Sequence, residues 1–533
     1  MALGFLKQTL RIMNNSNFLK KWFTNKRVLL LTLDSPFLDN SLVFPYLGIL
    51  YLIASARRAG FEIHYINKSS KAVTKESFDH PALFYTDEFD MRHIDRYKDF
   101  DLICISCLTA QAHQAYSIRA RLKEKYPHMK IMIGGAHIKG YLEDCIKEGF
   151  DIICAGDGER IFENILTGNT KALEKLLHPL SDMSTLVFQD KLAESEMNSF
   201  PIPLRQREYI GRYKYLLDNR PATTLVNSRG CCMRCEFCED RLTGTRWHSL
   251  EHFKDEIESI ISLGITAVMI FDDLFALDLK KVSPYLEILK SYREKYNLIF
   301  RCFGHAKTMS RFPEMAHMLA DAGCVELGFG AETASQIMLD KIEKGTKVEE
   351  LHNFVEISVK AGINVKAFFM IGLPGETRET FKQTHDFIRK HRKLYPGHFD
   401  FDLAVFFPYK GTKIGRIVRL PEGTAVKIDG KEYLREDILL RPALGLDWQR
   451  IDNGNFGAYK KKSGASDIVV ETYDWPRKKV LLSSEEIYRL KEDTMALSGR
   501  YTDSEGKRIF TPSVEGNIGT VFHKEENICC KKS

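Results

Sequence analysis

Four cysteines fall within eight residues: Cys231, Cys232, Cys235 and Cys238. Cys231, Cys235 and Cys238 have the spacing C-x3-C-x2-C. Three thiolates on one tight loop can hold three irons of a 4Fe–4S cluster and leave the fourth iron open to another ligand. Zinc is the alternative metal, but a structural zinc site takes four protein ligands. His248, ten residues after Cys238, is the near candidate for the fourth. The plain alternative is a set of buried thiols. Cys232 sits inside the loop and is given no ligand role. Twelve cysteines in 533 residues are too few for a disulfide scaffold, so metal ligation in a reducing, cytoplasmic compartment is expected.

Composition narrows the function classes. Apolar residues make up 44% of the chain and charged residues 28%, which excludes disorder, collagen and coiled coil for the whole. Lys and Arg number 77 against 71 Asp and Glu, and a surplus of +6 over this length does not argue for nucleic acid. The apolar run from Val43 to Ala56 is short and interrupted by Pro45 and Gly48, so no membrane span is expected. Lys7, Arg11, Lys20, Lys21 and Lys26 alternate with Leu3, Phe5, Leu6 and Leu10. That pattern suits a helical extension packed on the body, and permits contact with a membrane surface. It lacks the cleavage site of a secretory signal.

The loop needs elements to position it. From Val28 to about Leu166, short apolar runs alternate with helical stretches. The strands are Val28–Leu33, Glu62–Ile66, Leu102–Ser106, Lys130–Gly134 and Ile152–Ala155, which predict a doubly wound parallel α/β sheet. The stretch from 171 to 220, punctuated by Pro201 and Pro203, reads as a linker. Alternation then resumes with strands at Thr223–Val226, Ala267–Phe271, Ile299–Phe303, Val325–Phe329, Asn364–Met370 and Phe401–Phe406. Six strands fit a partial barrel or an open α/β sheet. The expected division is an extension over 1–26, domains over 27–170 and 221–409, and a C-terminal α+β cap over 410–533. Ser483–Leu497 reads as one helix of that cap.

The cysteine loop follows the strand Thr223–Val226 directly. Its segment Cys231-Cys232-Met233-Arg234-Cys235-Glu236-Phe237-Cys238 resembles the radical S-adenosylmethionine (SAM) signature C-x3-C-x-aromatic-C. Phe271-Asp272-Asp273-Leu274-Phe275 resembles that family's F-x-D-D-x-F. Gly330-Ala331-Glu332-Thr333 resembles its G-x-E-(S/T), and Lys344-Gly345-Thr346 its K-G-T. Gly372-Leu373-Pro374-Gly375-Glu376-Thr377 matches G-x-P-G-E-T. Pro408-Tyr409-Lys410-Gly411-Thr412 is similar to P-x-P-G-T, with Lys410 in place of proline. Asp272-Asp273 stands where many members carry G-G-E, a change common in the cobalamin-associated branch. The resemblance implies a partial (β/α)6 barrel holding a 4Fe–4S cluster on Cys231, Cys235 and Cys238. It implies that Phe237, Asp272, Asp273, Glu332, Gly372 and Pro374 meet S-adenosylmethionine. It also implies an electron donor such as flavodoxin or ferredoxin.

The first α/β unit resembles a cobalamin-binding, Rossmann-like domain. Pro45-Tyr46-Leu47-Gly48-Ile49-Leu50-Tyr51-Leu52 looks like the family's P-x-L-G-L-x-Y-L. Gly134-Gly135-Ala136-His137 resembles G-G-P-H, and Gly156-Asp157-Gly158-Glu159 resembles G-E-G-E. The D-x-H-x-x-G motif that gives cobalt a histidine elsewhere is absent, and His113 and His137 read as hydrogen-bonded or surface residues. Ser106, Thr109, Gly134, Gly135, Gly156 and Glu159 are the expected cobalamin contacts. Together these resemblances imply a cobalamin-dependent radical SAM methyltransferase acting on an unactivated carbon of a small molecule. Cyclisation, ring contraction or rearrangement on the same cofactors is the alternative. No residue is assigned as catalytic. Arg441, Trp448, Arg450 and Tyr459 are the expected substrate-pocket anchors.

Overall fold

A computed structural model describes residues 26–33, 45–67, 97–182, 184–205, 215–418 and 479–498, with isolated positions and short strands between them. Among the described residues no helix is long and apolar enough to cross a membrane. Trp448, Arg450, Tyr459 and residues 1–18 lie outside the described residues.

The N-terminal unit runs β1 (Arg27–Thr32), α1 (Leu47–Arg58), β2 (Glu62–Asn67), β3 (Leu102–Ser106), α2 (Ala112–Lys125) and β4 (Lys130–Gly134). It continues with α3 (Ile138–Lys147), β5 (Ile152–Gly156), α4 (Glu159–Thr167) and β6 (Leu186–Asp190). All its pairings are parallel, in the order β2-β1-β3-β4-β5-β6. Successive side chains of a strand face opposite ways, so an unbroken apolar strand must be covered on both faces. In β1, Val28 and Leu30 pack with α1 and α4, while Leu29 and Leu31 pack with α2 and α3. The order reverses between β1 and β3, the switch point where such sheets open a crevice. The sixth strand comes from residues read as linker. β6 pairs with β5 through Leu186–Asp190, so the sheet extends past position 170.

The second unit runs β7 (Thr223–Leu225), α5 (Leu250–Ser262), β8 (Ala267–Ile270), α6 (Leu279–Tyr296), β9 (Ile299–Phe303), α7 (Glu314–Asp321) and β10 (Cys324–Glu332). Then come α8 (Val348–Lys360), β11 (Asn364–Ile371), α9 (Arg378–Leu394) and β12 (Phe399–Val405). The six strands are parallel and lie side by side in chain order. Right-handed crossovers between sequential strands put every helix on one face, which gives the open (β/α)6 barrel rather than a doubly wound sheet. The face away from the helices carries charge. Arg301 meets Glu326 at 3.0 Å, and Lys366 meets Asp400 at 2.7 Å and Asp402 at 3.2 Å.

The open edge at β12 is covered from the C-terminal region. Helix α10 (Ser484–Met495) is capped by the Ser483 hydroxyl, and Leu482 and Ile487 join the barrel core. His385 on α9 hydrogen-bonds Thr494 at 2.9 Å. The end of the expected cap is therefore part of the barrel wall. Leu440–Pro442, Val470–Asp474 and Lys479–Leu482 form a small antiparallel sheet.

The two units meet through buried charge. Tyr51 on α1 donates to Glu256 on α5 at 3.2 Å. Arg205 donates to the same carboxylate at 2.5 Å, and both side chains of that ion pair are essentially inaccessible. Removing one member of such a pair strands the other charge, at a cost of about 3–5 kcal/mol. Glu256→Gln should lower unfolding free energy by about that amount in urea denaturation. A loss below about 1 kcal/mol would show that the pair carries no such burden.

Candidate active site

The cysteine loop is built from its stem outward. Just beyond β7, the Asn227 N–H donates to Asp272 at 2.6 Å and the Ser228 hydroxyl donates to it at 2.7 Å. Asp272 is 2% exposed, so it serves in this structure as a buried clamp on the strand end. Its neighbour Asp273 accepts from the Gly230 N–H at 3.2 Å. Gly230 has φ +87°, and a Cβ there would lie 2.3 Å from the Gly244 carbonyl oxygen. Only glycine fits that turn. Thr243 then accepts from the Cys231 N–H at 2.9 Å, and the Gly244 N–H donates to the Cys231 carbonyl at 3.1 Å.

On this scaffold Cys235 is buried, Cys231 and Cys238 are half-buried, and Cys232 points to solvent. The Met233 N–H donates to the Cys231 sulfur and the Asp240 N–H to the Cys238 sulfur, each at 3.4 Å. Such bonds favour thiolates. Burial works the other way, pushing Cys231 up to about 11 and Cys238 up to about 12. Iron binding at this loop must therefore expel protons. Each of Cys231 and Cys238 feels Cys235 electrostatically, so the three thiols share one locale. Among the described residues no three His, Cys, Asp or Glu side chains close on a single ion. His248 does not complete a zinc site. Its ring stacks on His252 at 4.0 Å and its Nδ1 faces Asn198 at 3.1 Å. Three thiols, two of them with amide support, and no fourth protein ligand among the described residues fit a cluster with one open iron.

The remaining SAM candidates gather beside the loop. Phe237 packs against the buried cluster of Met338, Ile342, Leu373, Phe406 and Ile414, which joins the cysteine loop to the Gly372-Leu373-Pro374 turn. Gly372 has φ +88°, and its N–H donates to Glu376 at 2.6 Å. Burial pushes the Glu376 carboxyl up to about 8, against the pull of the Gly372 and Leu373 N–H groups. Glu332 sits at a register shift of β10 with φ +60° and meets Lys344 at 2.8 Å. Lys344 is the residue the motif reading left without a role. Burial disfavours its charge, but Glu332, Cys235 and Cys238 hold its pKa above the ordinary value. It also lies 6.0 Å from the Phe237 ring centre.

A cavity of about 410 Å³ opens at the carboxyl ends of β1, β3, β4 and β5. Ser106, Gly134, Gly135, Gly156 and Glu159 line it, together with apolar Leu30, Leu47, Leu52, Met132 and Phe162. Thr109 does not line it, because its hydroxyl faces His137 Nδ1 at 3.3 Å. His137 Nε2 faces the Tyr116 hydroxyl at 2.8 Å, so both ring nitrogens are engaged and neither serves cobalt. An apolar cleft at a switch point, with small residues at its mouth, fits the tail of a corrin cofactor. Sequence reading missed Arg229. It lines this cavity from the barrel side, two residues before Cys231, and donates to Asp157 at 3.0 Å and Glu159 at 2.6 Å.

Comparison with known proteins agrees with this geometry. Residues 41–166 match the B12 binding domain, and residues 226–388 match the radical SAM superfamily. The chain belongs to the cobalamin-binding radical SAM family. Its cofactors are a 4Fe–4S cluster, S-adenosylmethionine and cobalamin. An uncharacterized methyltransferase of Pyrococcus horikoshii is 26% identical over 381 residues, covering 69% of this chain and 77% of that protein. The structure of the radical SAM methyltransferase TsrM from Kitasatospora setae, with tryptophan and a SAM analogue bound, has a TM-score of 0.56 at 17% identity. That match covers 76% of this chain and 79% of TsrM. The cobalamin-dependent radical enzyme OxsB, with aqua-cobalamin and SAM bound, has a TM-score of 0.59 at 17% identity, covering 84% and 68%. At these identities the structural likeness is one of fold.

Two measurements test the site. Cys231→Ala, Cys235→Ala and Cys238→Ala should each lose most bound iron after anaerobic reconstitution, while Cys232→Ala should keep about four irons per chain. Equal iron loss in all four variants would remove the distinction drawn for Cys232. The second concerns pH. Burial pushes Asp272 up to about 7 and Glu376 up to about 8, whereas unfolded carboxyls titrate near 4. Their contribution to stability is complete below about pH 4 and lost as pH rises through those folded values. Stability should therefore fall from about pH 5 to about pH 8, by at most about 1.4 kcal/mol per pH unit for each group. Asp272→Asn should flatten part of that slope, and an unchanged slope would exclude Asp272 as its source.

Proposed function

We propose that this protein is a cobalamin-dependent radical SAM methyltransferase that methylates an unactivated carbon of a small molecule. One observation carries the reading. The cavity at the carboxyl ends of the first sheet and the three-cysteine loop share Arg229, which lines the first and leads into the second. When bound, the cluster and SAM supply a 5′-deoxyadenosyl radical and methylcobalamin supplies a methyl group. The methyltransferase names of the Pyrococcus horikoshii relative and of TsrM support the reaction type, and the tryptophan bound to TsrM supports a small substrate.

The chain's own residues have defined tasks in this reading. Cys231, Cys235 and Cys238 hold iron, and Phe237, Leu373 and Phe406 keep water from the adjoining face. Lys344 and Glu332 place a paired charge beside the cysteines. Glu376 fixes the Gly372 turn by accepting from the Gly372 N–H. Ser106, Gly134 and Glu159 border the corrin pocket. An external one-electron donor such as flavodoxin or ferredoxin completes the proposal.

Anaerobic turnover with methyl-labelled SAM tests it. Label should appear in the product of the reconstituted protein, and supply of cobalamin should be required. A turned-over product free of label would favour cyclisation or rearrangement instead.

A further inference from the structure

Lys410 occupies the position where the motif after the last barrel strand carries proline, and its side chain crosses to the other domain. Its ammonium donates to Asp144 on α3 at 2.7 Å, across 266 positions of sequence. Asp144 is 11% exposed and Lys410 30%. The same ammonium lies 5.2 Å from the centre of the Tyr141 ring. Tyr141 interrupts α3 with φ −129° and ψ 27°, and its ring stacks on His137 at 4.5 Å. His137 follows Gly134-Gly135-Ala136, whose glycines line the corrin cavity. One stacked pair thus connects Lys410 to the cavity wall.

The same junction grips the cysteine loop from its other end. Glu239 and Asp240 follow Cys238 directly. Asp240 pairs with Lys139 of α3 at 2.5 Å. Gly411 lies so close to α3 that a Cβ on Gly140 would sit 2.7 Å from the Gly411 nitrogen. The Glu239 carboxylate lies against both of these glycines. Three segments therefore meet here: the start of α3, the residues after Cys238 and the residues after β12.

We propose that Lys410 is a positioning residue that, with Asp144 and Tyr141, holds the corrin-bearing sheet in register with the cluster loop. Reactions between groups bound on two separate domains require near-attack spacing, where a displacement of about 1 Å is costly. Proline at this position would remove both the ion pair and the cation–ring contact. The spectroscopic part of the test rests on the cofactor assignment, and the exchange part does not.

The experiment uses the full chain reconstituted with iron, sulfide and cobalamin. Two quantities are read: hydrogen exchange in segments 137–144 and 408–412, and the magnetic interaction between cob(II)alamin and the reduced cluster. Lys410→Ala and Asp144→Asn should each speed exchange in both segments by about fivefold or more. Both should weaken the magnetic interaction while iron and cobalamin content stay near wild type. Lys410→Arg and the charge exchange Lys410→Asp with Asp144→Lys should restore both signals. Gly140→Ala keeps every polar partner but forces Gly411 away, and should reproduce the loss even if Lys410→Ala fails to fold. Wild-type exchange and wild-type coupling in Lys410→Ala would overturn the proposal, as would a charge exchange no better than the single variants. A wild-type chain that retains no cobalamin would overturn the function above, and exchange alone would then decide the latch.

Discussion

Arg229 is the charge on which the architecture turns. It lies beneath Tyr51, with its guanidinium 5.4 Å from that ring, and it bonds Asp157 and Glu159 on the neighbouring sheet. Arg246 bonds Asp157 as well, at 2.5 Å. Two cations and two carboxylates are thereby withdrawn from water together. Their attraction roughly offsets the loss of hydration, so the cluster adds little net stability. What it adds is geometry. Any slip between the sheets would leave a buried charge without its partner, which penalises every docking but one.

That geometry matters because both units deliver their loops in the same sense. In a parallel sheet each strand's carboxyl end opens into a loop, and both sites here are made from such loops. The cavity uses the ends of β3, β4 and β5, and the cysteine loop follows β7. Docking the sheets end against end brings the two sets of loops together without either domain supplying a complete site. Asp272 and Glu376 make the barrel's loops rigid. Each spends its carboxylate on nearby backbone N–H groups, and burial keeps each more easily protonated than a free carboxyl. Both act in this structure as holding groups.

Much of this was legible in the chain. β9 falls at Ile299–Phe303 and β3 at Leu102–Ser106, the expected bounds, because short, mostly apolar runs of this kind admit few other placements. β6 escaped because Leu186-Val187-Phe188 is a three-residue run inside a polar stretch, and only pairing with β5 makes it a strand. The barrel role of α10 escaped for a related reason, since Ile487 finds its core more than eighty positions upstream. Motifs located the site more surely than they assigned its contacts. Thr109 carries its hydroxyl just past a strand end, but a histidine from another loop faces that hydroxyl. Arg229 was invisible as a functional residue because its partners lie about seventy positions away.

The glycines show why a motif can be right in place and ambiguous in cause. A strand-end glycine satisfies either a ligand that approaches closely or a backbone that does so first. At Gly135 a Cβ would lie 2.7 Å from the Cys107 carbonyl oxygen, and at Gly156 it would lie 2.0 Å from that of Asp190. Both also have φ well into the left-handed region, +100° and +87°. The fold demands these two glycines whether or not anything binds. Gly134 differs. A Cβ there would meet only ordinary contacts at 3.5 Å, with negative φ, yet the residue borders the cavity. Neither backbone conformation nor a close contact requires glycine at this position. Of these three glycines, Gly134 is therefore the one that the backbone leaves unexplained, while Gly135 and Gly156 build the sheet end.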